Sequence, residues 1–151
     1  MNPRRRKTIV NISIQRDERL ALEEAYVKRE FPHFRLYVRW GICFFLGWII
    51  VYSNRYKLRL VLPPRYPYVR PRLFIVWPKI LWDAAHRRTI NSVGVSYRYY
   101  TEANGPGGCV QISYAGTWDA SCTCLRALLG GIRWIALYEE HLRTGKGFQE
   151  Y

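Results

Sequence analysis

Residues 34–78 read FRLYVRWGICFFLGWIIVYSNRYKLRLVLPPRYPYVRPRLFIVWP, and this stretch decides the fold. It opens with strict alternation. Phe34, Leu36, Val38 and Trp40 share one face, and Arg35, Tyr37 and Arg39 share the other. Residues 43–52 form a second, more continuously apolar strand region, and residues 55–62 alternate again. Links this short predict an antiparallel meander. Prolines 63, 64, 67 and 71 then fix the backbone and withhold donors from a sheet, which predicts a rigid extended loop laced with aromatic rings. A fourth strand is expected over 72–77, closed by Pro78. The apolar run 40–52 is thirteen residues long. A membrane-spanning helix needs about 20, so the run reads as buried strand and turn.

Toward the N-terminus, residues 15–31 have helical spacing, with Leu20, Leu22, Ala25, Tyr26 and the stem of Arg29 on the expected apolar face. Asp17 and Glu18 near its start and Lys28 and Arg29 near its end suit the helix dipole, and Pro32 stops it. Residues 1–14 read as a basic lead, either solvated or a docking arm, ahead of a single domain over 15–151.

Toward the C-terminus, residues 79–104 carry little pattern. A helical turn is expected over 80–86 and a short strand over 93–100. Residues 105–129, GPGGCVQISYAGTWDASCTCLRALL, are more informative. A glycine turn delivers Cys109 at the mouth of a short apolar strand, which suits a presented nucleophile; a small buried core thiol is the other reading. Trp118 follows and is expected to lock the loop after the cysteine onto the next helix. Helices are expected over 121–129, ending at Gly130–Gly131, and over 132–143, ending at Gly145. The fold class is therefore α+β: an N-terminal helix, a four-stranded antiparallel meander, a cysteine-bearing loop and C-terminal helices.

Composition narrows the chemistry. The chain has 151 residues, 49% hydrophobic, with six Trp and twelve Tyr, enough for a substantial core. The formal charge of +13 requires an acidic partner or a solvated surface. The basic residues are scattered along the chain, which favours a solvated or protein-docking surface over nucleic acid. The four cysteines are Cys43, Cys109, Cys122 and Cys124. The start MNPRRRKTIV has no signal-length apolar run after it, so reduced thiols and a cytoplasmic location are expected. Cys122-Thr123-Cys124 is too tight for a usual zinc pair, and no metal or cofactor is expected.

The segment Leu62-Pro63-Pro64-Arg65-Tyr66-Pro67-Tyr68-Val69-Arg70-Pro71, followed by Gly107, Cys109, Val110, Ile112, Trp118, Leu125 and Leu128, resembles the pattern of the ubiquitin-conjugating enzyme family. The resemblance spans residues 15–143. It departs where the family carries His-Pro-Asn before its cysteine; this chain has Tyr99-Tyr100-Thr101, with extra residues between Pro71 and Cys109. Residues 132–148, IRWIALYEEHLRTGKGF, are similar to the tail of bacterial relatives from antiphage operons of the CBASS type. The resemblance implies a UBC-like fold and a thioester-forming transferase with Cys109 as acyl carrier. The donor would be the C-terminal tail of a protein, a cGAS-like cyclic-nucleotide synthase in that subgroup, and the acceptor an amine. A separate activating enzyme is compatible with this scheme; a membrane or nucleic-acid partner is not expected. Tyr99, Thr101 and Asn104 are candidates for oxyanion or acceptor-side support, beside backbone N–H groups near Cys109. His86 and His141 are candidate bases only by residue type. A catalytically inactive adaptor with the same fold is the alternative, and a basic nucleic-acid-binding protein unrelated to conjugation, with affinity falling steeply with salt, is a third class, for which the sequence offers no recognisable motif.

Overall fold

Two tight hairpins begin the sheet. In the computed structural model, which describes residues 3–90, 109–112 and 116–146 (side chains from residue 16 onward), β1 (Arg35–Arg39) turns through Trp40 and Gly41 into β2 (Ile42–Val51). Tyr52 and Ser53 then turn β2 into β3 (Asn54–Leu62). All four turn residues have positive φ: 56° and 72° in the first turn, 47° and 72° in the second. That is the turn handedness that matches the twist of paired strands, though Asn and Gly usually supply it.

The proline loop leads to β4 (Arg72–Trp77), and β5 (Val110–Ile112) closes the edge, giving an antiparallel sheet in the order β1-β2-β3-β4-β5. The strand over 72–77 falls where the sequence places it. The sheet has five strands rather than four, because the short apolar strand after Cys109 pairs with β4: Val110 lies opposite Ile75 and Ile112 opposite Leu73.

Period two sorts the sheet. Phe45, Ile49, Leu58, Leu60, Leu73, Ile75, Val110 and Ile112 point to one face and are buried. The helices α1 (Pro3–Glu30) and α2 (Cys124–Thr144) cover that face, with Val27, Leu128, Trp134 and Ile135 completing the core. Gly47 in β2 is filled by its neighbour: a Cβ there would lie 2.4 Å from the Phe34 ring.

Four expectations are corrected. Helix α1 starts at Pro3, so most of the segment expected as a basic lead is helical. Its inward residues from 16 onward are Glu23 and Val27, with Leu20 half-buried, while Leu22 and Tyr26 are 56% and 45% exposed. The inward face therefore carries a charged residue where an apolar one was expected. The helices expected over 121–129 and 132–143 are one continuous α2. Gly131 is where this helix meets the sheet, since a Cβ there would lie 2.2 Å from Leu73 Cδ2. Gly145 does end it, at φ 74°, with its N–H bonded to the His141 carbonyl. Residues 80–86 form turns, because Asp83 Oδ1 accepts from the N–H groups of Arg87 and Arg88 and Trp82 bridges to Thr89. The strand expected over 93–100 lies outside the described residues. No helix among the described residues is long and apolar enough to cross a membrane.

Candidate functional site

Cys109 immediately precedes β5. Val110 and Ile112 point into the core, and Gln111 lies opposite Phe74. The alternation places Cys109 with Gln111, on the sheet face away from the helices. There it lines a cavity of about 290 Å³. The cavity's charged lining is Arg39, Arg59 and Arg72; its aromatic lining is Trp40, Phe44 and Phe74. Arg59 Cζ lies 5.3 Å from the centre of the Phe44 ring and Arg72 Cζ 5.7 Å from that of Phe74, so the guanidinium groups are held over aromatic faces. Arg59 Nε is buried without a hydrogen-bond partner. A buried unsatisfied donor is costly.

The other thiols are structural. Cys43 is buried on the core face, and burial pushes its thiol pKa upward. Cys122 is buried in the turn before α2, where its sulfur accepts from Arg126 Nη1 at 2.7 Å and from the Asp119 N–H at 3.5 Å. Cys124 is fully buried; its thiol donates to the Tyr66 hydroxyl at 3.2 Å and is raised strongly by burial and then by the Glu23 carboxylate. Cys109 is half-buried, unlike these three.

A polar network holds the scaffold behind the cavity. Glu23 Oε1 accepts from Arg19 Nε at 2.9 Å and from the Tyr66 hydroxyl at 2.5 Å. Glu23 Oε2 accepts from the Cys124 N–H at 2.9 Å, at the first turn of α2, where a negative charge suits the helix dipole. Arg19 also donates to the carbonyls of Ala120 and Cys122. Tyr66 precedes a cis peptide to Pro67. Trp118 Nε1 donates to the Pro67 carbonyl at 2.7 Å, and the Trp118 and Tyr66 rings lie 6.2 Å apart. Trp118 is thus a scaffold residue, though what it grips is the proline loop.

The histidines stand apart from the cavity. His141 Nε2 accepts from the Ala84 N–H at 3.1 Å, which leaves Nδ1 to donate to the Lys146 carbonyl at 2.6 Å. His86 stacks on Trp82. Neither lines the Cys109 cavity. Tyr99, Thr101 and Asn104 lie outside the described residues. The lining arginines are candidate residues that sequence reading missed, although the register of Arg35, Tyr37 and Arg39 held the signal. Strand parity puts Arg39, Arg59 and Arg72 on one face once the pairing of β1 to β4 is known.

No protein-family model matches the chain, and no curated protein or solved structure gives a match.

Proposed function

We propose that Cys109 carries an acyl group as a thioester, received from the C-terminus of a protein and passed to an amine. The observation that carries this reading is the contrast among the thiols: Cys43, Cys122 and Cys124 are buried, whereas Cys109 opens into an arginine-lined cavity. A thiolate is the nucleophile such chemistry needs, and its thioester stays reactive toward amines.

The donor arrives as a thioester on an activating protein. The Cys109 sulfur attacks its carbonyl carbon, a new C–S bond forms, and the bond to the activating protein's sulfur breaks. The departing thiolate takes up the proton that Cys109 gave up. The acceptor amine then attacks, the amide forms, the bond to Cys109 breaks, and the amine's proton passes to the released thiolate or to water. Arg39, Arg59 and Arg72, along the cavity that Cys109 also lines, supply N–H donors for the tail's carbonyl oxygens, and backbone N–H groups near Cys109 are the donors for the oxyanion of each tetrahedral intermediate. Within the resembled subgroup the donor is a cGAS-like synthase and the setting is antiphage defence in the cytoplasm.

Tyr99-Tyr100-Thr101, standing where the resembled family has His-Pro-Asn, favours a second reading: an inactive adaptor that only binds a partner. Intact-mass analysis of the chain co-expressed with its operon neighbours, without reductant, separates the two. The transferase reading expects an adduct released by hydroxylamine and missing from Cys109→Ala. Co-purification of a neighbour with no adduct on the wild-type chain would replace it with the adaptor.

A further inference from the structure

Between Glu30 and Asp83 the chain contains no Asp or Glu. That interval builds β1 to β4, and strand parity gathers its cations. Tyr37 lies opposite Phe44, Leu46 opposite Arg35 and Arg59, and Trp48 opposite Lys57. Arg55 lies opposite Ile50, and Arg72 opposite Val61. These residues, with Arg39, share the face away from the helices. Arg55, Lys57 and Arg59 follow one another along β3, and pairing brings Arg35, Arg39 and Arg72 from other strands onto the same face.

Aromatic rings are interleaved with them. Tyr37 stacks on Phe44 at 5.5 Å, and Arg55 Cζ and Lys57 Nζ lie 4.5 Å and 5.5 Å from the centre of the Trp48 ring. Trp40 projects from the first hairpin turn with 92% of its surface exposed. Among the described residues, none of Arg35, Arg39, Arg55, Lys57, Arg59 and Arg72 forms an ion pair with a carboxylate. The described carboxylates lie on the helices and in the loops at Asp83 and Asp119. Glu30 reaches only the rim, where it shares a small cavity with Trp48 and is held by Arg29.

We infer that this sheet face binds single-stranded nucleic acid. Unpaired guanidinium and ammonium groups in rows suit a phosphate backbone, while exposed rings and guanidinium planes suit unpaired bases. An acidic protein tail would use the charges but leave the rings without a matching partner. Duplex would also use the charges, but its bases are already stacked. The strand register lifts the nucleic-acid class, which the scattering of the basic residues along the sequence left less favoured. Nucleic-acid binding at this face does not depend on the thioester chemistry of Cys109.

The test is fluorescence anisotropy of the full chain with a labelled oligo-dT or oligo-U of about 20 nucleotides. About five neutralised phosphates give a slope of about −3.5 in log affinity against log salt, or roughly 100-fold weaker binding from 50 to 200 mM. Arg55→Glu with Lys57→Glu, both outside the Cys109 cavity, should weaken binding by about 30-fold or more. The control pair Lys28→Glu with Arg87→Glu makes the same change in net charge elsewhere and should cost less than about threefold if binding is localised. Trp48→Ala should cost about tenfold through lost stacking. Unaltered thermal melting is the criterion that each variant is folded. In the wild-type chain, photo-cross-links from a 4-thiouridine oligonucleotide should map to Tyr37, Trp40 or Trp48. Equal losses in both charge pairs, cross-links confined to the helices, or equal affinity for duplex or poly-glutamate of matched charge would each overturn the inference.

Discussion

Glu23 shows how a single residue can govern both stability and legibility. It is 1% exposed, yet it accepts from Arg19, Tyr66 and the Cys124 N–H, joining α1, the proline loop and α2. Glu23→Ala would strand three donors, one of them charged, so unfolding in urea should show a loss of about 3 kcal/mol. From sequence, a glutamate in a run of alternating charge reads as solvent-facing. Its inward role depends on partners 43 and 101 residues away, and local spacing does not report them. The same burial fixes the alkaline behaviour. Tyr138 is pushed up from 10.0 to about 12, by burial and then by Glu139. Tyr56 and Tyr66 are raised further, again chiefly by burial. A raised phenol pKa means that the folded state holds its proton more tightly than the unfolded chain. Stability from these groups is therefore complete below pH 10 and falls as pH rises from 10 through 12. Urea midpoints should be level from pH 8 to about 9.5 and drop above 10.

At the scale of elements, the strands were legible because period two is a local property. Residues 55–62 and 72–77 fall within or on the observed strands. The helix division at Gly130–Gly131 was misplaced because a glycine pair reads as a stop, whereas Gly131 serves a close approach to Leu73. Neither reading carried information about contacts across the fold. The first hairpin presents a further conflict between local and distant demands. Trp40 occupies a φ of 56°, uncommon for a bulky residue, while its ring is exposed at the edge of the Cys109 cavity. Trp40→Asn would place the favoured Asn-Gly pair in the turn. It should raise stability by about 1 kcal/mol, read as a higher thermal midpoint. The same variant should weaken binding to the sheet face. Unchanged stability would mean that the Trp40 backbone carries little strain.

At the scale of the whole molecule, the chain divides its charge. Helices and loops carry the described carboxylates, and the outer sheet face carries cations without an ion-pair partner among the described residues, with Cys109 at one end. The α+β layout could be read from the alternation in residues 34–78; that Arg39, Arg59 and Arg72 share one sheet face with Cys109 required the strand register. Cys109 is singled out in the sequence by the glycines before it, which lie outside the described residues, whereas a cavity is a property of several strands together. The thioester role of Cys109 is the central claim, and trapping tests it most directly. Cys109→Ser should convert a transient thioester into an oxyester that accumulates, resists mild thiol treatment, and maps by tandem mass spectrometry to residue 109 as a donor C-terminal glycyl or other acyl group. An adduct on Cys122 or on a lysine instead, or no adduct on Cys109→Ser and wild type alike with an activated donor present, would contradict it.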